Sequence, residues 1–219
     1  MSAEKSRAEN SKKNLHNADF TDADLKEADL SSGVLIEACL KGVDLSEADL
    51  CDADISSANF EGARLHRTLL HRCRGRNANF TGATLTQANL VEANLIGTDF
   101  SHANLSESDI EGADLKNAKF KNANLSDTNM TGVFLSNADL SDANFTNADL
   151  IAADLTNTDL TGANFDNTYL NHADLSGANL KQAKNLTCDQ IETTFITRET
   201  LLPDTLRLKW ISDTEYEFD

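Results

Sequence analysis

Positive charge is scarce in this sequence: 19 Lys and Arg stand against 36 Asp and Glu among 219 residues, a formal net charge of −17. Such acidity argues against binding nucleic acid or an anionic membrane surface, and leaves a basic partner or simple solubility. The sequence also lacks an apolar run of membrane-spanning length. Its start, MSAEKSRAENSKKNL, lacks the apolar core of a signal peptide, so we expect a cytoplasmic protein.

Cysteine is scarce as well, and the four cysteines show neither a pairing pattern nor a CxxC spacing. We therefore expect free thiols in a reducing compartment and no disulfide framework. High charge with low hydropathy is typical of disordered chains, but a strict apolar period in this sequence predicts an ordered core. The cysteines are Cys39, Cys51, Cys73 and Cys188.

A large apolar residue, here called the centre of a repeat, recurs at every fifth position from Leu15 to Leu180. All but one of these 34 centres are Leu, Phe, Ile or Met, and the exception is Gly75. Two residues before the centres, 23 of 33 positions hold Ala; one residue before them, 14 hold Asp and 10 hold Asn. The motif is therefore A-(D/N)-L-x-x, with no insertion.

A period of five fits neither an α-helix nor an ordinary β-strand. In a helix the centres would circle the axis, and in a strand they would change faces at every step. A coil with one corner per repeat does fit, because the centre and the small residue two before it then both point inward. The sequence therefore predicts a solenoid.

Over residues 15–184 this motif strongly resembles that of the pentapeptide-repeat family. The resemblance implies an all-β fold, a right-handed quadrilateral parallel β-helix of about eight to nine coils with four repeats in each coil. A coil of 20 residues also brings like residues into register, which stacked parallel strands favour. It predicts an inward column of Phe60, Phe80, Phe100 and Phe120, and an outward ladder of Asn104, Asn124, Asn144 and Asn164.

Both ends of such a rod need covers. We expect residues 1–14 to be a flexible, frayed segment, because they are polar. Residues 185–219 are predicted to form a C-terminal cap and an acidic tail, with a short helix near residues 188–194. A capping box of Thr187 and Gln190 marks the start of that helix.

A basic segment, RLHRTLLHRCRGR, interrupts the acidic chain. With coils of 20 residues its arginines lie beside acids of the neighbouring coils, for example Arg64 beside Asp44 and Arg67 beside Glu47. We interpret this basic belt as relief of repulsion between stacked acids, and an anion or partner contact is the alternative. Gly75 is expected to leave a gap in the core. The belt consists of Arg64, Arg67, Arg72, Arg74 and Arg76.

Nothing in the pattern indicates catalysis or a cofactor. Cys51 and His71 would stack on adjacent coils, but two ligands are too few for zinc, which takes three or four. Asp, Ser and Thr are abundant, yet the repeat places them on a flat, convex surface without the water-excluding cleft that an enzyme needs. We expect no enzyme, no metal and no cofactor.

The strongest acidic field lies between Asn122 and Leu180, with eight Asp and no Lys or Arg. Residues 15–184 hold 26 acids and 12 bases, a net charge of −14, which is roughly 60% of the charge density of duplex DNA. Phe134 and Tyr169 occupy outward positions there, where we expect the C-terminal tail to cover them or a dimer to bury them. The candidate interaction surface comprises Asp139, Asp142, Asp149, Asp154, Asp159, Asp174, Phe134 and Tyr169.

These observations favour a non-enzymatic interaction or scaffold protein with an undefined protein partner. The alternative, implied by the family resemblance, is a DNA mimic that binds a type II topoisomerase such as gyrase or another basic DNA-binding protein. Such family members dimerise through a C-terminal cap, so the resemblance also implies a possible homodimer. Two departures weigh against the mimic: no loop projects from the repeats, and the basic belt interrupts the acidic surface.

Overall fold

Parallel backbone bridges join the outward residue of each repeat to the residue 20 positions later, from Asp19 with Cys39 to Asn164 with Lys184. The computed structural model describes residues 3–212 and 215–218. Four pentapeptides make 20 residues, so each coil has four sides and the chain forms a parallel β-helix. The predicted coil length of four repeats is therefore confirmed.

Each repeat is a short extended segment followed by a two-residue corner. The centre Leu25 donates its N–H to Asp44 O at 2.8 Å, and Asp44 donates its N–H to Ala23 O at 2.9 Å. The second corner residue is left-handed, with φ of 54° at Glu27 and 72° at Gly162. Asp, Asn and Gly suit this position because they tolerate the left-handed region best.

The four sides are named here by their outward residues, which precede the centres in the sequence. Following the chain, sides A, B, C and D succeed one another around the coil, so side D lies between sides C and A. The rows are 19–179 for side A, 24–184 for side B, 29–169 for side C and 34–174 for side D, each in steps of 20.

The core is a continuous apolar column inside the coils, in which the centres are almost fully buried. The predicted phenylalanine column is present: consecutive ring centroids from Phe60 to Phe120 are 4.5, 5.0 and 4.9 Å apart. The gap expected at Gly75 is absent from the core. A Cβ at Gly75 would lie 2.7 Å from Leu95 Cδ2 and 3.1 Å from Ile55 Cγ1, because these neighbours already fill the space.

Of residues 1–14, expected to form a frayed segment, the structure describes residues 3–14, and these contain a helix. Helix α1 spans Ala3–Asn10 and buries Ala8 against the first coil. The guanidinium of Arg7 lies 5.5 Å from the ring centroid of Phe20, and Lys12 O accepts the N–H of Val34 at 2.6 Å. A mostly polar segment can thus form a cover, because one small apolar residue and several backbone partners suffice there.

After the repeats, helix α2 spans Cys188–Glu192 and has the predicted capping box, in which Thr187 and Gln190 bond reciprocally. Its Ile191 is buried. The segment beyond it continues the coil on two sides, where Phe195 pairs with Asp174 and Leu201 with Asn179. An antiparallel hairpin follows, with strand β1 over Leu208–Trp210 and strand β2 over Tyr216–Phe218.

Candidate functional site

The outward Asp residues of the repeats hold the corners together with one carboxylate oxygen. Thr156 donates its N–H and its hydroxyl to Asp154 Oδ1, at 3.0 and 2.7 Å. Ser141 donates its N–H to Asp139 Oδ1 at 3.0 Å in the same way. An Asn can make the same bond, as Asn144 does with Thr146. The repeat therefore requires the side-chain oxygen but not the negative charge, so either Asp or Asn can occupy each outward position.

The six acids of the candidate surface lie on three contiguous sides of the rod. Asp139 and Asp159 are neighbours on side A, and Asp154 and Asp174 are neighbours on side D. Asp149 lies on side C, next to Tyr169 on the following coil. Asp142 lies at the corner between sides A and B, and its Oδ1 lies 2.5 Å from the position that a Cβ on Gly162 would take.

Side B of the same coils is uncharged. Its predicted asparagine ladder is present: Asn124 Nδ2 donates to Asn104 Oδ1 at 3.1 Å, and Asn144 and Asn164 continue the series at 3.1 and 3.0 Å. Asn185 extends it, donating to Asn164 Oδ1 at 2.7 Å. The acidic surface therefore does not surround the rod, since it covers sides C, D and A and leaves side B neutral.

Phe134 and Tyr169 are not covered by the described part of the C-terminal tail, contrary to the favoured expectation. The side chains are 45% and 58% exposed, on sides D and C. Lys116 Nζ lies 5.0 Å from the ring centroid of Phe134, in cation–π geometry. Tyr169 lines two shallow grooves at the junction of side C with helix α2.

These grooves bring together residues that sequence reasoning did not connect. The first, about 300 Å³, is lined by Asp166, Tyr169 and Gln190 among others. The second, about 150 Å³, shares Tyr169 and Gln190 with the first and also includes Asp189. The only signal in the sequence was a tyrosine at a position that normally holds Asp or Asn, because the grooves depend on where helix α2 lies.

The arginines of the basic belt mostly pair with acids of the preceding coil. Arg64 Nε lies 3.1 Å from Asp44 Oδ2, and Arg72 Nε lies 3.0 Å from Asp52 Oδ1. Arg74 Nε lies 3.3 Å from Asp54 Oδ2. Arg67 differs from its prediction: its Nε donates to Gln87 Oε1 on the following coil at 2.9 Å, instead of meeting Glu47.

Asp44 shows the electrostatic effect of this pairing most clearly. Burial alone would raise the pKa of its carboxyl, but hydrogen bonds from Ser46, Lys26 and Arg64 outweigh burial and lower the pKa to about 2. Lys26 Nζ lies 3.2 Å from the same oxygen, Asp44 Oδ2. The belt thus contributes one of the two exposed cations that pair with the buried carboxylate of Asp44.

Two of the thiols, those of Cys51 and Cys73, are poorly suited to nucleophilic or redox chemistry at neutral pH. Burial, followed by the nearby Asp49, raises the pKa of Cys51 to about 11, and burial raises that of Cys73 to about 12. Among the described residues, no group of three or more His, Cys, Asp and Glu is placed to hold a metal ion. A search of the same residues finds no helix that is both long and apolar enough to cross a membrane.

The four-sided coil, its stacked apolar centres and its outward Asp and Asn rows define a parallel β-helical solenoid of five-residue repeats. The sequence model of pentapeptide repeats matches eight copies, which together cover residues 11–72 and 78–184. This chain belongs to the pentapeptide-repeat family, whose solved structures are right-handed β-helices. The short gap between the matched segments contains Gly75, the one centre without a side chain.

Solved structures of the same family cover most of the chain. HetL, involved in heterocyst differentiation regulation in the cyanobacterium Nostoc sp. strain PCC 7120, is 28% identical over 89% of both chains, with a TM-score of 0.36. Full-length QnrB1, a plasmid-mediated fluoroquinolone resistance protein, is 18% identical over 85% of this chain and 87% of its own, with a TM-score of 0.51. No curated protein sequence matches this chain significantly.

A shorter match is a pentapeptide repeat protein of the Arabidopsis thaliana thylakoid lumen, 31% identical over 49% of this chain and 68% of its own, with a TM-score of 0.37. The likeness to QnrB1 supports the fold alone. The partner has to be argued from this chain's own surface.

Proposed function

We propose that this protein is a non-enzymatic scaffold that binds a basic protein through the acidic sides C, D and A of its second half. The observation that carries the proposal is the run from Asn122 to Leu180, where eight Asp occur without a Lys or Arg. Because Asn makes the same corner bond, the fold does not explain this choice of Asp. A rigid surface with one sign of charge raises the encounter rate with a partner of opposite charge.

Cytoplasmic location and the absence of catalysis belong to the same proposal. One cavity of about 550 Å³ lies in the C-terminal segment near Ile196 and Trp210, and it is open to solvent. None of the candidate acids lines that cavity. A flat acidic surface supports recognition of a partner better than it supports general acid and base chemistry.

The test is capture of partners from a lysate by the immobilised full chain, with elution by increasing salt. The variant replaces all six acids of the candidate surface by Asn, which the motif accepts at the same positions. The matched control replaces six acids of the first two coils by Asn. We expect basic proteins to bind the wild type and the control at low salt, and to be lost from the variant. Equal capture by variant and control contradicts the proposal.

A DNA mimic that binds a type II topoisomerase is the second candidate function. Pairs of carboxylates one coil apart, such as Asp139 with Asp159 and Asp154 with Asp174, favour it because they repeat negative charge regularly along the rod. The neutral side B and the paired basic belt count against it. A gyrase supercoiling assay decides: inhibition that the six-Asn variant loses supports mimicry, and no effect at low salt and micromolar protein excludes it.

We infer that the segment after residue 184 closes the C-terminal end of the rod and provides the surface for a possible homodimer. Phe195, Leu201 and Ile211 are exposed there. Light scattering over a range of concentrations tests the dimer. A dimer that Phe195→Asn dissociates supports the inference, and a monomer at all concentrations contradicts it.

A further inference from the structure

Three aromatic rings at the surface or the ends of this rod each have one cation of the same chain over the ring face. Arg7 lies 5.5 Å from the ring centroid of Phe20, Lys116 lies 5.0 Å from that of Phe134, and Arg198 lies 5.6 Å from that of Trp210. A cation over an aromatic face is stabilised by the ring quadrupole. The rod thus repeatedly combines a ring with a cation near its surface.

Among the described residues, two strongly exposed rings have no Lys or Arg over them, Tyr169 at 58% exposure and Phe195 at 61%, and of these only Tyr169 belongs to the repeats. It lies within the stretch from Asn122 to Leu180 that contains no Lys or Arg at all. It is also one of only two aromatic residues in the outward D/N positions of the repeats, and the other, Phe134, has Lys116.

Three carboxylates lie close to Tyr169 on different elements. Asp149 is its neighbour on the preceding coil of side C and uses Oδ1 to accept the N–H of Ile151 at 2.9 Å, which leaves Oδ2 for another donor. Asp166 lines the first groove together with Tyr169, and Asp189 of helix α2 lines the second together with Tyr169. The exposed ring is therefore part of two shallow grooves, each of which contains a carboxylate.

We propose that Tyr169 is the docking point for a Lys or Arg side chain of the basic partner. The ring face receives the cation, and the carboxylates of Asp149, Asp166 and Asp189 accept its N–H groups. A guanidinium fits this combination best, because it is planar, stacks on rings and donates several hydrogen bonds at once. This inference rests on the proposed function, to which it adds a position on the rod and the chemistry of the anchor residue.

The experiment titrates the full chain with an oligo-arginine peptide at low ionic strength and follows both the affinity and the tyrosine ring resonances by NMR. The chain has two tyrosines, and Tyr216 is the internal reference, since its hydroxyl donates to Ile191 O at 3.2 Å. We expect the Tyr169 resonances to shift and those of Tyr216 to stay. Tyr169→Asn should weaken binding roughly three- to thirty-fold, and Tyr169→Phe should leave it within about two-fold.

Leu69→Asn is the matched control, because Leu69 is an exposed outward apolar residue on side C that lies outside the acidic second half of the rod. Both Asn variants restore the motif residue, so they retain the fold. Equal affinity of wild type and Tyr169→Asn overturns the inference, as does an equal loss in Leu69→Asn. The lysate capture is independent of this result: if it still depends on the six acids, the proposed function stands while the Tyr169 anchor falls.

Discussion

At the scale of single residues, the side-chain oxygens of the outward Asp and Asn residues stabilise the corners, and this bond does not need the negative charge of Asp. The Oδ1 of an outward Asp or Asn binds the corner, as in Asp154 and Asn144. Where a carboxylate is buried, the charge itself becomes structural. Asp44 is the clearest instance, since Ser46, Lys26 and Arg64 all donate to it.

Asp44→Asn should therefore destabilise the protein at neutral pH by about 1–2 kcal/mol. Because the pKa of Asp44 is lowered to about 2 in the folded protein, its contribution is complete above the unfolded value of about 3.9 and is lost as the pH falls toward 2. Urea denaturation at several pH values measures this. The difference between wild type and variant should shrink on acidification.

Asp24→Asn is the matched control, because Asp24 is exposed and lies one coil earlier on side B. It should change the free energy of unfolding by less than about 0.5 kcal/mol. A loss equal to that of Asp44→Asn would show that the ionic cluster at Asp44 contributes nothing special.

Gly75→Leu tests whether the core next to Gly75 is already filled or contains a cavity. If Gly75 left a cavity, leucine would fill it and raise stability. Because Leu95 and Ile55 already occupy the space, we expect the variant to lose about 1–3 kcal/mol through overpacking. Thermal denaturation gives the sign directly, and Gly75→Ala should show a smaller loss. An increase in the midpoint with leucine would contradict the packing described above.

At the scale of elements, the segments next to the repeats form hydrogen bonds with backbone groups of the end coils. Gln190 shows how: its Nε2 donates to Phe165 O at 3.0 Å and to Thr168 O at 2.8 Å, while its Oε1 accepts the N–H of Thr187 at 2.9 Å. One amide thus joins the capping box of helix α2 to the last coil of the repeats.

Gln190→Glu tests this arrangement more sharply than Gln190→Ala. Glutamate keeps the acceptor for Thr187 and is common in capping boxes, but it replaces two donated bonds by repulsion from two carbonyl oxygens. We expect a loss of about 1–3 kcal/mol in chemical denaturation. Gln182→Glu, at a corner, is the control and should be nearly neutral. Equal stability of Gln190→Glu and wild type would show that α2 docks without this amide.

At the scale of the whole molecule, charge works against the fold. The net charge of −17 is spread over a rod whose like charges lie one coil apart, as in the Asp139–Asp159 pair. Such stacked carboxylates repel by about 1 kcal/mol per pair in water, and salt screens this repulsion. This acidic surface lowers stability and yet extends over three sides of the rod. A binding role for the charge predicts such a surface.

The melting midpoint should therefore rise when salt is added at neutral pH. Asp139→Asn combined with Asp159→Asn removes one repelling pair and keeps both corner bonds, so it should raise the midpoint at low salt and reduce the salt effect. Thermal denaturation at two salt concentrations measures both. A midpoint that falls with salt would show that attractive pairs such as Arg72–Asp52 dominate over repulsion.

The sequence by itself determined the repeat, the coil of 20 residues, the phenylalanine column and the capping box, because a strict period leaves each centre only one place inside the rod. Only the tertiary structure decided how the end segments pack and how the core is filled at Gly75. These contacts are the burial of Ala8, the packing of Leu95 and Ile55 around Gly75, and the position of helix α2 next to Tyr169. They depend on local packing that the repeat does not specify. Periodicity carries no information about such contacts.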